Sequence, residues 1–224
     1  MKSCIYLSYK GLGTNLLHLA YCHEIAKKYG PVTIITLCRN LEAALKDDPL
    51  IERIIFINKY HKRFIDILKL KKLLNTFNFD QIFIFYPSLR IYLASILSNI
   101  KKVFCYPLLK KNKLHLVDVA KKFTEESLGI NNCKTETNFF IKKNKIENIN
   151  KNLDSKKFKI VIGAGSSGPT TKWGAKNFYS LINKLNNNGD YIFLSFVGQM
   201  IKIYLMKLQI ILTIIIMFRY MIKR

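Results

Sequence analysis

Half of the 224 residues are hydrophobic, which is enough to bury the core of one large domain or two small ones and excludes disorder by composition. The net charge of +23 comes mostly from lysine and favours anionic partners such as membrane surfaces, nucleic acid or sugar phosphates. The lysines are scattered, without a long basic run or an aromatic RNA-binding motif. We therefore expect most of these lysine side chains to lie on solvent-exposed surface, and we expect no nucleic-acid partner.

Apolar runs and helical periodicity alternate along the first two thirds of the chain. Strands are predicted at 4–8, 32–37, 53–57, 81–86 and 101–106. Helices are predicted at 16–29, 41–46, 63–77, 89–98 and 115–128. This alternation predicts an α/β fold with a doubly wound parallel sheet, whose ligands bind beyond the carboxyl ends of the strands.

A short glycine turn follows the first predicted strand, with Gly11 and Gly13 and then Thr14. A strand, a Gly-x-Gly turn and a helix form the layout of a phosphate cradle. The third glycine of the dinucleotide-binding fingerprint would fall at Leu16, so the motif is incomplete.

A second strand–loop–helix unit begins at residue 159, with a strand at 159–162, a helix at 175–187 and another strand at 191–197. Its loop is rich in small and polar residues: Ser166, Ser167, Thr170 and Thr171 offer hydroxyl donors, and Lys172 offers a cation. Such a loop before a helix N-terminus predicts a site for a phosphate, which we interpret as the diphosphate of a nucleotide sugar.

The loop does not match two better-defined glycine motifs, the P-loop and the nucleophile elbow. Pro169 stands where a P-loop has its lysine, and Ala164 stands where a nucleophile elbow has its first glycine. An ordinary glycine-rich turn whose serines cap a helix remains the alternative interpretation.

Other polar residues give no metal signal. His18 and His23 are five residues apart rather than the four of a metal-binding helix pair, and Asp47-Asp48 precede a proline in a turn. His115 either touches a cleft or simply starts its helix. The five cysteines lack zinc-ligand spacing and are expected to pack as free, small hydrophobic residues: Cys4, Cys22, Cys38, Cys105 and Cys133.

The domain organisation is predicted from changes in composition. We expect an N-terminal Rossmann-like domain at 1–141, a polar linker at 142–158, the start of a nucleotide-sugar-binding domain at 159–198 and an aberrant hydrophobic and basic tail at 199–224. The tail fits a marginal membrane anchor, an interfacial basic helix or out-of-frame translation after a truncation. We favour the last, because the second domain has only two strands before the tail.

Short stretches spread over residues 1–198 occur in a recognisable order. They are Gly11-Leu12-Gly13, 48–55, 79–84, 115–118 with 128–130, and 163–167 followed by 171–173 and 177–178. Together they resemble the heptosyltransferases, family 9 of the bacterial glycosyltransferases. The resemblance implies a GT-B architecture, with the acceptor on the N-terminal domain and the nucleotide sugar on the C-terminal one.

The resemblance also implies an activity: transfer of heptose or a related sugar from an ADP-sugar to a lipopolysaccharide-core acceptor. Transfer would invert the anomeric centre, with no metal and no cofactor beyond the donor substrate. Ser166, Ser167 and Lys172 would hold the diphosphate, and Lys172 would stabilise the departing charge.

Two departures from the family predict impaired activity. Thr14 stands where the family has the aspartate proposed as general base, and a threonine hydroxyl cannot accept a proton at neutral pH. The late Asp-Thr-Gly…His motif of the donor site is not found in this sequence. The alternative function is a non-catalytic, membrane-associated Rossmann-like binding protein. The cysteines and the lack of a signal-peptide pattern predict a cytoplasmic location, with possible peripheral contact at an anionic inner membrane.

Overall fold

The computed structural model describes residues 1–57, 65–107, 114–151, 157–163, 173–187, 189 and 191–196. The chain divides into two compact units, Met1–Lys143 and Asn144–Arg224. The first unit contains, in chain order, β1 (Ser3–Leu7), α1 (Leu12–Leu16), α2 (Leu19–Tyr29), β2 (Val32–Thr36), α3 (Leu41–Ala44), β3 (Ile51–Phe56), α4 (Ile65–Phe77), β4 (Gln81–Ile84), α5 (Leu89–Ile96), β5 (Lys102–Cys105) and α6 (Leu116–Leu128).

The five strands of the first unit form one parallel sheet in the order β3-β2-β1-β4-β5. In the middle of the sheet, Ile5 of β1 lies opposite Ile34 of β2 and Phe83 of β4. All residues of β1, β2 and β4 are buried, as expected for parallel strands covered by helices on both faces. The predicted doubly wound α/β fold is confirmed.

Alternation along β1 divides the core of this unit in two. Ile5 and Leu7 belong to the apolar cluster that includes residues of α2 and α6, whereas Cys4 and Tyr6 belong to the cluster that includes residues of α4 and α5. The cysteines pack as predicted: all five are free, and only Cys105 is not fully buried.

The strand order reverses between β1 and β4. The chain runs from β1 outward to β2 and β3, and then returns to the other side of β1 for β4 and β5. In an open parallel sheet such a reversal leaves a crevice at the carboxyl ends of the two strands, because their connections leave in opposite directions. The crevice is therefore bounded by the residues that follow Leu7 and Ile84.

One helix prediction is wrong in its bounds. The structure has two helices, α1 and α2, where a single helix at 16–29 was predicted, so Gly13 and Thr14 lie inside a helical turn. The helix starts early because Gly11 is extended and caps it directly, while the side chain of Asn15 bonds back to the carbonyl of Gly11.

The second unit contains α7 (Lys143–Lys151), which starts at the boundary residue, then β6 (Phe158–Gly163), α8 (Ala175–Asn186) and β7 (Tyr191–Phe196). β6 and β7 are parallel neighbours, in agreement with the strand–helix–strand prediction. The predicted linker at 142–158 contains α7, which its polar, weakly patterned sequence did not indicate. The tail at 199–224 lies outside the described residues, and within the described part of the chain no helix is long and apolar enough to cross a membrane.

Candidate ligand-binding site

The candidate site is the crevice at the carboxyl ends of β1 and β4. β1 leads through Tyr9 to Gly11 and the start of α1, and β4 leads through Phe85 to Tyr86. The two sides touch: the hydroxyl of Tyr9 donates a hydrogen bond to the Phe85 carbonyl at 3.1 Å. Because that bond joins the two diverging connections, the floor of the crevice is fixed.

Asn15 holds the glycine turn in place. Its side-chain nitrogen donates to the carbonyls of Tyr9 at 2.9 Å and Gly11 at 2.7 Å. Its side-chain oxygen accepts from the hydroxyl of Thr36 at 2.8 Å, at the carboxyl end of β2. Asn15 is 1% exposed, so these bonds are shielded from water. Sequence analysis missed this residue, whose only signal is its position two residues after Gly13.

Neither the backbone angles nor the packing of the described residues requires glycine at the two positions of the turn. Gly11 has ordinary extended angles, φ −74° and ψ 135°, and Gly13 is not among the residues with positive φ. Among the described residues, a Cβ at Gly13 would meet nothing within 4 Å, and one at Gly11 would meet only Thr14 Oγ1, at 3.7 Å. Both glycines are exposed, so the missing side chains leave open surface at the turn, which allows a ligand to approach the backbone.

Thr14 lies on the same turn, partly exposed, within the short helix α1. Its backbone carbonyl faces Nδ1 of His18 at 2.8 Å. A carbonyl can only accept, so the proton of the neutral imidazole is on Nδ1 and Nε2 is bare. The structure thus places Gly11, Gly13 and Thr14 on one turn, and their roles in binding and catalysis stay predictions.

His18 lies beneath the turn and is completely buried. Its ring stacks on Tyr9 with the centroids 5.0 Å apart and meets Phe85 edge-on at 5.4 Å. Burial lowers the pKa of the imidazole, and the hydrogen bond to Thr14 opposes this only in part. Nε2 has no hydrogen-bond partner among the described residues. His18 is therefore a neutral, buried core residue.

A second histidine makes a pair that resembles a catalytic dyad. Nε2 of His23 and Oδ2 of Asp48 are 2.7 Å apart, and both residues are 5% exposed. Oδ1 of Asp48 accepts from the backbone N–H of Leu50, so the carboxylate also closes the turn before β3. Because both side chains are almost completely buried, the pair ties α2 to that turn and is structural.

His115 starts its helix. Its Nδ1 accepts a weak hydrogen bond from the backbone N–H of Val117 at 3.4 Å, which makes it the N-cap of α6. Of the two interpretations left open for His115, the structure thus supports the local one.

The predicted diphosphate loop cannot be assessed in the same way. Ser166, Ser167, Thr170, Thr171 and Lys172 lie outside the described residues. The flanking elements are present: β6 ends at Gly163, and α8 follows Gly174, which has φ 91°. Among the residues that the structure does describe, no group of three His, Cys, Asp or Glu side chains could hold a metal ion.

Comparison with known proteins adds to this geometry. Residues 7–106 match the family model described as Glycosyl transferase 4-like, and these residues include the last residue of β1, the glycine turn and all of β2 to β5. No curated protein matches the sequence.

Several solved structures are similar. The glycosyl transferase family 9 protein from Veillonella parvula is 18% identical with a TM-score of 0.67, over 89% of this chain and 63% of that one. E. coli ADP-heptose lps heptosyltransferase II is 14% identical with a TM-score of 0.61, over 89% of this chain and 65% of that one. E. coli heptosyltransferase WaaC with ADP-2-deoxy-2-fluoro heptose is 13% identical with a TM-score of 0.59, over 88% of this chain and 69% of that one.

The chain thus spans just under two thirds of the length of the first two of these structures. At such identities the likeness concerns the fold. The protein therefore has the α/β fold of the GT-B glycosyltransferases, and its first unit is similar to the Glycosyl transferase 4-like domain.

Proposed function

We propose that the protein is a glycosyltransferase that moves heptose or a related sugar from an ADP-sugar to an acceptor of the lipopolysaccharide-core type. The observation that carries the proposal is the open glycine turn at Gly11 and Gly13, in the crevice between β1 and β4. The similarity to solved heptosyltransferases, one of them with an ADP-heptose analogue, supports the choice of donor.

In this proposal the two units have different tasks. The crevice of the first unit takes the acceptor, and the loop 163–172 of the second takes the donor diphosphate. Ser166, Ser167, Thr170 and Thr171 donate hydrogen bonds to the phosphates, and Lys172 stabilises the charge that develops on the leaving ADP. The anomeric centre is inverted in a single displacement that needs no divalent metal, as the family resemblance implies.

Thr14 makes the transfer slow. The attacking acceptor hydroxyl must lose its proton, and a carboxylate in the turn would accept it. The hydroxyl of Thr14 can orient the acceptor by hydrogen bonding but cannot act as a base at neutral pH. The acceptor is thus bound and oriented, while its proton is lost to water.

We further propose peripheral contact with an anionic membrane. A lipopolysaccharide-core acceptor is carried on a lipid, and a chain of net charge +23 is attracted to an anionic lipid surface within about a Debye length, ~10 Å at moderate salt. Binding to anionic vesicles that weakens as salt is raised would support this contact.

Donor binding is tested by thermal unfolding with ADP. A ligand at about 100 times its dissociation constant stabilises the folded state by ~2.7 kcal/mol, so ADP should raise the Tm of the full chain. Lys172→Ala should remove this rise, whereas Lys176→Ala, at an exposed lysine of α8, should keep it. No effect of saturating ADP on the Tm of the unaltered protein would contradict the proposal.

A further inference from the structure

Three tyrosines follow three neighbouring strands at the carboxyl edge of the sheet: Tyr9 after β1, Tyr86 after β4 and Tyr106 after β5. One of them, Tyr106, belongs to the core, and Tyr9 is partly buried against it. Tyr106 is 4% exposed and packs against the ring of Phe123, and Tyr9 stacks on His18. Tyr86 differs, because 38% of it remains exposed at the crevice.

The ring of Tyr86 is supported from below. It meets the ring of Tyr9 edge-on, with centroids 5.9 Å apart and planes at 85°. Tyr9 is itself held by its hydroxyl bond to the Phe85 carbonyl, and burial together with the nearby Tyr86 raises its pKa to about 12. Tyr9 thus stays protonated and in place, so Tyr86 rests on a fixed partner. An aromatic side chain held in this way loses little conformational entropy when a ligand binds.

We infer that Tyr86 is the stacking platform for a sugar ring of the acceptor, a role that rests on the proposed function. The face of an aromatic ring is electron-rich and attracts the weakly positive C–H groups on the apolar side of a pyranose. Leu89, the first residue of α5, is 58% exposed three residues further along the same connection. The open glycine turn lies after the neighbouring strand, so the sugar hydroxyls have backbone groups to bond there.

A purely structural role for Tyr86, covering the edge of Tyr9, makes a different prediction. Packing depends on apolar volume, which leucine preserves, whereas stacking depends on the aromatic face, which only phenylalanine preserves. The variants Tyr86→Leu and Tyr86→Phe therefore separate the two roles. Tyr179→Leu, at an exposed tyrosine of α8, is the matched control for loss of a surface aromatic residue.

The experiment titrates the full-length protein with methyl α-mannopyranoside, a simple pyranose, and follows binding by ligand-observed NMR. Tyr86→Leu should raise the Kd about 2- to 10-fold, the range that corresponds to an aromatic contact. Tyr86→Phe and Tyr179→Leu should stay within about twofold of the unaltered protein, and melting curves of all variants report on folding.

Three results would overturn the inference: no binding of the pyranoside to the unaltered protein, an unchanged Kd in Tyr86→Leu, or an equal loss in Tyr86→Phe. The rise in Tm that ADP causes in the same samples shows whether the Tyr86 inference or the proposed function is wrong. If ADP stabilises the protein but Tyr86 does not affect sugar binding, only the platform is wrong. If the pyranoside binds through Tyr86 but ADP has no effect, only the proposed donor is wrong.

Discussion

Replacing Gly13 with alanine should make the protein more stable and less active at the same time. Gly13 lies inside α1 without a positive φ, and an added Cβ would meet no atom of the described residues within 4 Å. Alanine in a helix is favoured over glycine by about 0.5–1 kcal/mol. For a chain of this size that gain corresponds to a rise in Tm of about 1–4 °C. No described residue lies close enough to the added methyl group to offset this gain.

The same methyl group would occupy the surface that a ligand needs. If the acceptor approaches the backbone at the turn, Gly13→Ala should reduce its binding and transfer by about tenfold or more, because a close-packed site cannot absorb an extra carbon. Circular dichroism melting and a transfer assay measure the two effects. Gly129→Ala is the control: Gly129 has φ 62°, so alanine there should lower the Tm instead. Undiminished transfer in Gly13→Ala would refute the claim that a ligand approaches the backbone at Gly13. A lower Tm would refute the claim that an alanine fits at this position of α1.

The remaining predictions concern residues of the same turn. Thr14→Asp should raise kcat by roughly 10²-fold, because it supplies a general base, as measured by the rate of ADP release. Asn15→Ala should cost about 1–3 kcal/mol in urea unfolding, because it removes the acceptor of the buried Thr36 hydroxyl proton, whereas Asn99→Ala on the surface should cost less than about 0.5 kcal/mol. Burial lowers the pKa of His18 in the folded protein, so below about pH 6.5 the unfolded chain binds a proton that the folded chain does not, and the free energy of unfolding decreases as the pH is lowered. His18→Phe should reduce the difference between the unfolding free energies measured in urea at pH 5 and pH 7.

The sheet could be predicted from the sequence because its determinants are local. Each buried strand is a run of apolar residues, such as 32–37, and each is followed by a segment of helical periodicity. Alternation of strands and helices then leaves few topologies besides a doubly wound parallel sheet. Even so, the predicted helix 16–29 begins four residues earlier, at α1, and other strand and helix ends differ by one or two residues, since ends depend on tertiary hydrogen bonds.

The candidate site could be predicted only in part. Gly11 and Gly13 were identified from their spacing and Thr14 from the family resemblance, but Asn15 was not identified, because its role depends on Thr36, 21 residues away. The pairing of His23 with Asp48 spans 25 residues and was equally invisible. A side chain that bonds across the fold leaves no periodic pattern in the sequence. The diphosphate loop at 163–172 remains a prediction from composition and resemblance.

The central claim is that this chain transfers a sugar from an ADP-sugar. The most direct measurement incubates the full-length protein with ADP-heptose and a heptose-free lipopolysaccharide-core acceptor and detects the product by mass spectrometry. We expect an acceptor heavier by one heptose, formed slowly by the unaltered protein and faster by Thr14→Asp. If neither protein forms the product, although both bind the donor and the acceptor, the claim is contradicted.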